Sequence, residues 1–443
     1  MRAQPLRETG LGLSKLIDEL RALAGTFPDK RTGRNARYAM EDVVLGAFSV
    51  FWSQSPSFLS HQKALQAAQG RSNAETLFAI GNIPTDNHIR TLLDEVPPSA
   101  MAPMFERIIT RLAQAGHLEP FRALGDRLLI ALDGTQYHSS GTIHCASCSV
   151  RKHGGGEVTY SHTVVTPVIV APGYARVLPL QPEFVTPQDG HDKQDCEHAA
   201  AKRWLARAAG TYAGHQVTLL GDDLYAHQPL CEAALASGFN FVFVCKPRSH
   251  KALYEDIDGL RRTGKVERLE VARRKGRECE TDVYEFVNGL ALRDGEDALK
   301  VNWCQLVTTR EQGKESYRNA FITQHPITRK NVAELVAAGR ARWKVENENN
   351  NTLKTQGYHL THNFGHGRRY LAATLASLNL LAFLVHTVQD LADATYRAVR
   401  EALASRQMFF QHVQALTCYL CFDSFQALLA FMYKALELGE DTS

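Results

Sequence analysis

The stretch from residue 127 to residue 134, RLLIALDG, decides the fold class of this chain. A short, continuous apolar run bounded by polar residues is typical of a β-strand that is buried on both faces. The run finishes in Asp133 and Gly134, and we expect the strand to end there. A buried strand with an acidic residue at its end is therefore the starting point for predicting the rest of the chain.

The segments after this strand predict the remainder of an α/β core. Two strand patterns follow, YSHTVVTPVIV (160–170) and ARVLPLQPEFV (175–185), separated by a Pro-Gly turn signal. The next predicted elements are a helix (195–209), the strand HQVTLLGDD (215–223), a helix (229–237) and the strand FNFVFVC (239–245). Three strands, then helix, strand, helix and strand, is the order of an RNase H-like mixed sheet with helices packed on it.

Five regions are predicted when the pattern is followed outward from this core. Apolar residues at spacings of three and four indicate helices on both sides of the core, and short alternating segments indicate a β-rich insertion within it. The regions are a helical N-terminal, DNA-binding region (1–125), the first part of the RNase H-like core (126–250), the β-rich insertion (251–328), a catalytic helix segment that completes the core (329–370) and a helical C-terminal region (371–443).

The composition is that of a globular protein, with 44% hydrophobic and 22% charged residues among 443. The 50 Lys and Arg residues nearly balance the 47 Asp and Glu residues, so net charge does not indicate nucleic-acid binding and any basic surface must be local. The start of the chain lacks the apolar segment of a signal peptide, and Thr374, Ser377 and Asn379 interrupt the longest apolar stretch. We therefore expect a soluble, cytoplasmic protein.

Carboxylates end two of the predicted strands. Asp133 ends the first strand and Asp222 ends the fourth, and these strands are neighbours in an RNase H-like sheet. Glu346 lies on the helix after the insertion, within reach of the pair. Crowded acids repel one another unless a cation compensates them, and oxygen ligands favour Mg²⁺ or Mn²⁺. The three acids indicate a two-metal site for phosphodiester displacement; the alternative is that each is an ordinary solvated residue.

Four segments around these acids resemble bacterial insertion-sequence transposases of the DDE type, those with a Tyr/Arg/Glu/Lys signature. The segments are ALDGTQY around Asp133, LLGDDLYA around Asp222, RWKVENENNNTLKTQGYHLTHNFGHG around Glu346, and QDGHDKQDCEHAAAKRW (188–204). The resemblance covers most of the chain. It implies an RNase H-like core, a two-metal site for Mg²⁺ or Mn²⁺, and double-stranded DNA as partner, both transposon end repeats and target. It also implies a homodimer in the active complex and a place at the bacterial nucleoid.

The resemblance assigns the catalytic and metal-binding roles to Asp133, Asp222 and Glu346. Asp222 is the better match to the second Asp of the family, because the Leu-Tyr pair after Asp223 then falls at the family's apolar and Tyr positions. Asp223 is adjacent and stays open as an alternative.

The auxiliary residues of the signature match less well. Arg342 lies four residues before Glu346, as the signature requires. Gly339 stands where the signature has Tyr, and Leu353 stands where it has Lys, with Lys354 one position later. The resemblance implies that Arg342 and Lys354 contact DNA phosphates; the alternative is that both are solvated helix charges.

The cysteines offer a second metal site. Cys145 and Cys148 form a C-x-x-C motif after the first strand, and Cys196 opens a later helix. Together with one histidine they would bind a structural Zn²⁺ in a tetrahedron. The histidines considered for it are His144, His153 and His198. The alternative is a set of unligated thiols, because a single C-x-x-C is a weak signal.

Three histidines, His359, His362 and His366, lie in a segment with two glycines after the catalytic helix. Glycines admit close approach of the backbone, so one interpretation is a loop that approaches DNA. A turn that caps the helix and a histidine metal site are the other two interpretations.

Basic residues cluster between residues 261 and 277 of the insertion, among them Arg273, Arg274 and Lys275. Strand alternation would place many of them on one face, which predicts a clamp on the DNA backbone; a solvated charged hairpin is the alternative. Recognition of the element ends is assigned to the N-terminal region, where Thr85 or Asp86 is the predicted cap of a helix.

The sequence thus predicts a transposase that hydrolyses DNA at the ends of its element and then joins the freed 3′ hydroxyl to target DNA at the same site. Two alternatives stay open. One is a transposase-derived DNA-binding protein that no longer cuts, against which the three intact acids argue. The other is an RNase H-like nuclease that only hydrolyses DNA.

Overall fold

A computed structural model describes residues 9–31, 37–187, 197–275, 278–310 and 313–439, and it confirms the predicted α/β class. One mixed β-sheet runs through these residues, with helices before, around and after it. The strands are β1 (Arg122–Ala123), β2 (Arg127–Ser140), β3 (Ser149–Lys152), β4 (Val158–Ala171), β5 (Tyr174–Pro179), β6 (Glu183–Phe184), β7 (Val217–Gly221), β8 (Asn240–Val244), β9 (Glu267–Lys275), β10 (Glu278–Ala291), β11 (Lys300–Arg310) and β12 (Glu315–Thr323).

The core of the sheet has the strand order β5-β4-β2-β7-β8. β4 is antiparallel to β2 and β5 is antiparallel to β4, whereas β7 is parallel to β2 and β8 is parallel to β7. This is the RNase H-like order that the sequence predicted. β2 is its central strand, and all residues from Leu128 to Leu132 are buried, as expected for a strand covered on both faces.

β2 does not end at Asp133 and Gly134, as the sequence predicted, but continues to Ser140. Beyond Gly134 the strand keeps its antiparallel pairing with β4. Its parallel pairing with β7 stops earlier, at Ala131 opposite Leu220. Asp133 therefore lies inside β2, just past the point where β2 and β7 separate.

Helices make up the regions on both sides of the sheet. They are α1 (Leu13–Ala24), α2 (Met40–Trp52), α3 (Phe58–Gln66), α4 (Ala68–Phe78), α5 (Asp86–Leu93), α6 (Ala102–Gln114), α7 (Glu197–Thr211), α8 (Gln228–Ala236), α9 (Lys251–Arg262), α10 (Val332–Arg340), α11 (Thr352–Thr355), α12 (Leu371–Ala392), α13 (Ala394–Ala402), α14 (Arg406–Tyr419) and α15 (Phe425–Ala435), with a π-helical segment at Val345–Asn351. Thr85 caps α5, as predicted, by accepting a hydrogen bond from the His88 N–H at 3.4 Å. α12 is long and apolar enough to cross a membrane, but 89% of its most apolar window is buried inside the molecule.

The insertion begins with a helix, which the sequence analysis did not predict. α9 buries Leu253, Tyr254 and Ile257, a set with helical spacing. β9 to β12 then form an antiparallel meander, and β12 pairs with β8. The insertion therefore extends the core sheet instead of forming a sheet of its own.

The N-terminal and C-terminal helices share a hydrophobic core. Trp52 at the end of α2 packs edge-on against Phe78 of α4, Phe410 of α14 and Phe425 of α15. Such edge-to-face packing of aromatic rings adds to the free energy gained from their burial. The helical regions before and after the core sheet are thus packed on one another.

Candidate active site

Asp133 and Asp222 lie side by side where β2 and β7 diverge. The parallel register pairs Ala131 with Leu220, so two positions further along it brings Asp133 next to Asp222. Asp222 follows the last residue of β7, and its Oδ1 accepts a hydrogen bond from the Leu224 N–H at 2.9 Å. This short turn fixes the Asp222 carboxylate at the end of its strand.

Glu346 lies on the π-helical segment Val345–Asn351, which packs against β2, β4 and β5. π-Helical turns are rare and occur frequently at functional sites. Val345 is fully buried and anchors the segment, whereas the Glu346 side chain is 35% exposed. Arg342, four residues earlier, donates from Nη1 to Glu346 Oε1 at 2.7 Å. Glu346 thus lies close enough to Asp133 to raise its pKa, and it brings a guanidinium of its own.

Asn350 joins this segment to the central strand. Its Nδ2 donates to Asp133 Oδ2 at 3.0 Å, and its Oδ1 accepts from Thr166 Oγ1 of β4 and from Asn349 Nδ2, each at 3.0 Å. The two donors on Oδ1 fix the orientation of the amide, so that its NH₂ points at Asp133. Asn350 was not predicted from the sequence, although it lies in a run of three asparagines, residues 349–351, shortly after Glu346.

Glu197, the first residue of α7, brings a fourth carboxylate to the cluster. Gly134 makes room for it, because a Cβ added at Gly134 would overlap the Glu197 carboxyl group. Burial raises the pKa of Glu197, and the charge of Asp222 raises it further, while the Gly134 N–H and the Tyr225 hydroxyl lower it in part. The sequence analysis did not select Glu197, although it lies in the segment 188–204 that resembled the transposases.

Burial and mutual repulsion both disfavour the charged forms of the clustered carboxyl groups. The pKa of Asp133 is raised to about 7, first by burial and then by the charge of Glu346. The guanidinium of Arg342 lowers that pKa in part, and Glu197 and Asp222 raise it again. A cluster of acids of this kind is stabilised by a cation.

Asp223, unlike Asp222, accepts hydrogen bonds from the loop after β8. Its Oδ1 accepts a hydrogen bond from the Lys246 N–H at 2.7 Å, and its Oδ2 accepts one from the Ser249 hydroxyl. His250 Nε2 lies 3.6 Å from the same carboxylate. Asp223 therefore holds the loop after β7 to the loop after β8, while the neighbouring Asp222 faces the acid cluster.

Packing explains why Gly339 and Leu353 stand where the signature has Tyr and Lys. A Cβ on Gly339 would lie 2.6 Å from a ring carbon of Phe321 in β12, so α10 leaves no room for a Tyr there. Leu353 is fully buried, whereas Lys354 is half-exposed on α11. Arg342 is only 6% exposed, so it is not the solvated helix charge of the alternative interpretation. It partners Glu346 instead.

The two cysteines of the C-x-x-C motif lie next to two histidines that were not predicted to be their neighbours. Cys145 and Cys148 of the β2–β3 loop lie against His162 of β4 and His366, and the four side chains form one partly buried cluster. Burial, with the histidines around them, lowers the pKa of both His162 and His366 to about 4. His366 was singled out in the sequence for another set of residues, and His162 was missed because it lies within a strand pattern.

The histidines that the sequence offered to the C-x-x-C motif have other partners. His144 stacks on Tyr160 at 4.3 Å, His153 shares a hydrogen bond with Thr159, and His198 contacts the Leu224 carbonyl. The histidines that lie within ligand distance of the two thiols are instead His162 and His366. Cys196 lies outside the described residues. Cys418 and Cys421 lie one helical turn apart in an apolar stretch, LTCYLCF, which predicts that they pack in the core, but both are exposed and that prediction is wrong.

The basic residues of the insertion are largely paired with acids. Arg273 lies 3.1 Å from Glu280 and 2.8 Å from Asp282 on the neighbouring strand. Arg274, on the opposite face of β9, is exposed. The side chain of Lys275 lies outside the described residues.

A scan against protein-family models and a search among curated proteins give no match for this chain.

Proposed function

We propose that this protein is a DDE transposase, which cleaves DNA at the ends of its element and transfers the freed 3′ end to target DNA. The observation that carries the proposal is the convergence of Asp133, Asp222 and Glu346 from two neighbouring parallel strands and a helix of an RNase H-like sheet. These residues are far apart in the sequence, and the order of the sheet brings them together.

The donor set fits Mg²⁺ or Mn²⁺. Carboxylate oxygens are the ligands that these hard cations prefer, and the pKa of Asp133, raised by burial and by the charge of Glu346, supports a cation beside it. Asp133, Asp222 and Glu346 would hold two ions, which in phosphodiester chemistry activate the attacking oxygen and stabilise the leaving oxygen. Glu197 lies close enough to add a fourth carboxylate.

The residues around the acids have positioning roles in this proposal. Arg342 holds Glu346 from within the helix, and Asn350 holds the Asp133 carboxylate from the facing side. Partners of this kind fix the rotamer of a metal-binding side chain, so that its oxygens are already aligned before the ion arrives.

The proposed partners are double-stranded DNA, as transposon end repeats and as target, and a second copy of the chain in the active complex. The proposal places the protein in the bacterial cytoplasm, at the nucleoid. Recognition of the ends is assigned to the N-terminal helices, and Arg274 and Lys275 of the insertion are proposed to contact DNA phosphates, with Lys354 on α11 as a further contact.

The experiment is a cleavage and strand-transfer assay on DNA duplexes that carry the sequences flanking the gene. Asp133→Asn, Asp222→Asn and Glu346→Gln should each remove cleavage and joining in Mg²⁺ while DNA binding persists. Asp223→Asn is the matched control, because it removes the same charge one residue away, and it should keep activity. Loss of activity in Asp223→Asn with full activity in Asp222→Asn would refute the assignment.

The same assay separates the two alternative functions. A nuclease of this fold would nick the DNA but give no joined products. A silent DNA-binding descendant would bind the end sequences and leave them intact in Mg²⁺ and in Mn²⁺. The intact set of carboxylates favours the active enzyme over the silent descendant.

A further inference from the structure

Cys145, Cys148, His162 and His366 direct their sulfur and nitrogen atoms at a common centre. The two sulfurs are 3.9 Å apart, and His162 Nε2 lies 3.5 Å from Cys145 Sγ and 3.4 Å from Cys148 Sγ. His366 Nε2 lies 3.5 Å from Cys148 Sγ, and all four ligand atoms lie within 4.8 Å of one another. These are four donors around one point.

The distances match the edges of a zinc tetrahedron. With Zn–S bonds of about 2.3 Å and Zn–N bonds of about 2.0–2.1 Å, a tetrahedral centre requires about 3.8 Å between sulfurs and about 3.6 Å between sulfur and nitrogen. Four of the six edges, at 3.9 Å and 3.4–3.5 Å, agree with these values. The other two edges, from His366 to Cys145 and to His162, are no longer than 4.8 Å. A disulfide does not fit, because bonded sulfurs are about 2.05 Å apart and both cysteines are free.

We propose that Cys145, Cys148, His162 and His366 bind one structural Zn²⁺. The site is closed by four protein ligands, as structural zinc sites are, and it leaves no position for a substrate. Cys148 is 2% exposed, His162 6% and His366 8%, and Cys145 is half-buried, so three of the four ligands are shielded from solvent. The proposal does not depend on the proposed DNA chemistry, because none of the four residues belongs to the carboxylate cluster.

The zinc would connect parts of the chain that are distant in sequence. Cys148 and His366 are 218 residues apart, so the ion closes a long loop of the chain. The segment after His366 is in turn held by Asp94 at the end of α5, whose carboxylate accepts the N–H groups of Arg368 at 2.9 Å and of Leu371 at 3.0 Å. The site therefore links the core sheet, the segment after the catalytic helix and the N-terminal helical region.

The first test is the metal content of the full chain, purified without a chelator and without a metal-binding tag. We expect about one equivalent of zinc by inductively coupled plasma mass spectrometry. X-ray absorption at the zinc edge should show two sulfur and two nitrogen neighbours at the distances given above. This measurement uses the unmodified protein, so it remains valid if every ligand variant fails to fold.

The second test uses variants with matched controls. Cys148→Ser and His366→Asn should each lose the zinc and melt at a lower temperature, because metal binding and folding are coupled. The double variant Cys418→Ser, Cys421→Ser changes an exposed C-x-x-C of the same spacing and should keep one equivalent. His144→Asn, next to Cys145, should keep it too.

Three results would overturn the proposal. One is wild-type protein without zinc, as purified and after addition of Zn²⁺ under reducing conditions. Another is an absorption spectrum with oxygen neighbours in place of sulfur. The third is zinc retained by folded Cys148→Ser and His366→Asn proteins. Wild-type protein that binds zinc but does not cleave DNA would instead count against the proposed function alone.

Discussion

Asn350 Nδ2 donates a hydrogen bond of 3.0 Å to Asp133 Oδ2 across 217 residues of sequence. This contact joins the π-helical segment that carries Glu346 to the central strand that carries Asp133. Asn350 lies four residues after Glu346 on the same segment, so the bond helps to set where Glu346 lies relative to Asp133. The position of Glu346 relative to Asp133 thus depends on an amide that does not itself bind metal.

Asn350→Ala should therefore weaken catalysis without weakening DNA binding. Loss of a residue that orients a metal ligand lowers activity or metal affinity by about 10- to 100-fold, and we expect a similar loss in the cleavage rate. The Mg²⁺ concentration for half-maximal cleavage should rise, an effect that a general structural defect would not produce.

The control for this variant is Asn351→Ala, the exposed neighbour on the same segment. It should behave like the wild type in both readouts. If both variants lose the same activity at an unchanged Mg²⁺ requirement, the role assigned to Asn350 is wrong.

The raised pKa of Asp133 predicts a pH-dependent cost to stability in protein free of Mg²⁺. Its pKa is about 7 in the folded state and about 3.9 in the unfolded state, so the folded state binds the extra proton between these values. Stability contributed by this group is then present at low pH and falls as the pH rises from about 4 to about 7. Asp133→Asn removes that dependence.

The measurement is the melting temperature of both proteins from pH 5 to pH 8, after dialysis without chelator so that zinc is retained. The melting temperature of the variant should rise relative to that of the wild type as the pH rises. Saturating Mg²⁺ should raise the melting temperature of the wild type at pH 8 but leave that of the variant unchanged. A difference between the two proteins that stays constant with pH would show that Asp133 is not buried among the other acids.

Arg273 and Arg274 are adjacent, but their replacement by Ala should have different effects. Arg273→Ala should lower stability, whereas Arg274→Ala should weaken DNA binding. Arg273 pairs with Glu280 and Asp282, which are 4% and 6% exposed, so Arg273→Ala leaves two buried acids poorly compensated. We expect a loss of about 1–3 kcal/mol in the free energy of unfolding, because the arginine itself is 44% exposed and its pairing is partly screened.

Arg274→Ala should leave stability unchanged and weaken DNA binding. Each lost phosphate contact lowers the slope of log affinity against log salt by about 0.9, whatever the DNA sequence. Binding titrations with end DNA and random DNA at several salt concentrations measure this slope. If Arg273→Ala changes the slope and Arg274→Ala does not, the insertion is not a phosphate clamp.

The core strands could be predicted because a buried strand has a continuous apolar run, which is visible in the local sequence without knowledge of its neighbours in the sheet. It did not predict that β2 continues to Ser140, because the extra length depends on pairing with β4. α9 was missed because its three buried residues stand among charged ones.

The candidate site was predictable where a residue type carries the chemistry itself. Asp133, Asp222 and Glu346 stand out as acids next to apolar elements, and the structure brings them together. His162 could not be predicted as a neighbour of Cys148, because the pairing of β3 with β4, which places Ser149 opposite Ser161, sets their distance. Glu197 could not either, since its place beside Gly134 depends on the packing of α7.

The central claim is that Asp133, Asp222 and Glu346 hold the same metal ions, and iron-mediated cleavage of the protein tests it most directly. Fe²⁺ that replaces Mg²⁺ generates hydroxyl radicals with peroxide and ascorbate, which cut the backbone beside the bound ion. We predict cuts near all three residues, suppressed by excess Mg²⁺, absent in Asp133→Asn and retained in Asp223→Asn. Cuts confined to other parts of the chain, or the same pattern in Asp133→Asn as in the wild type, would contradict the account.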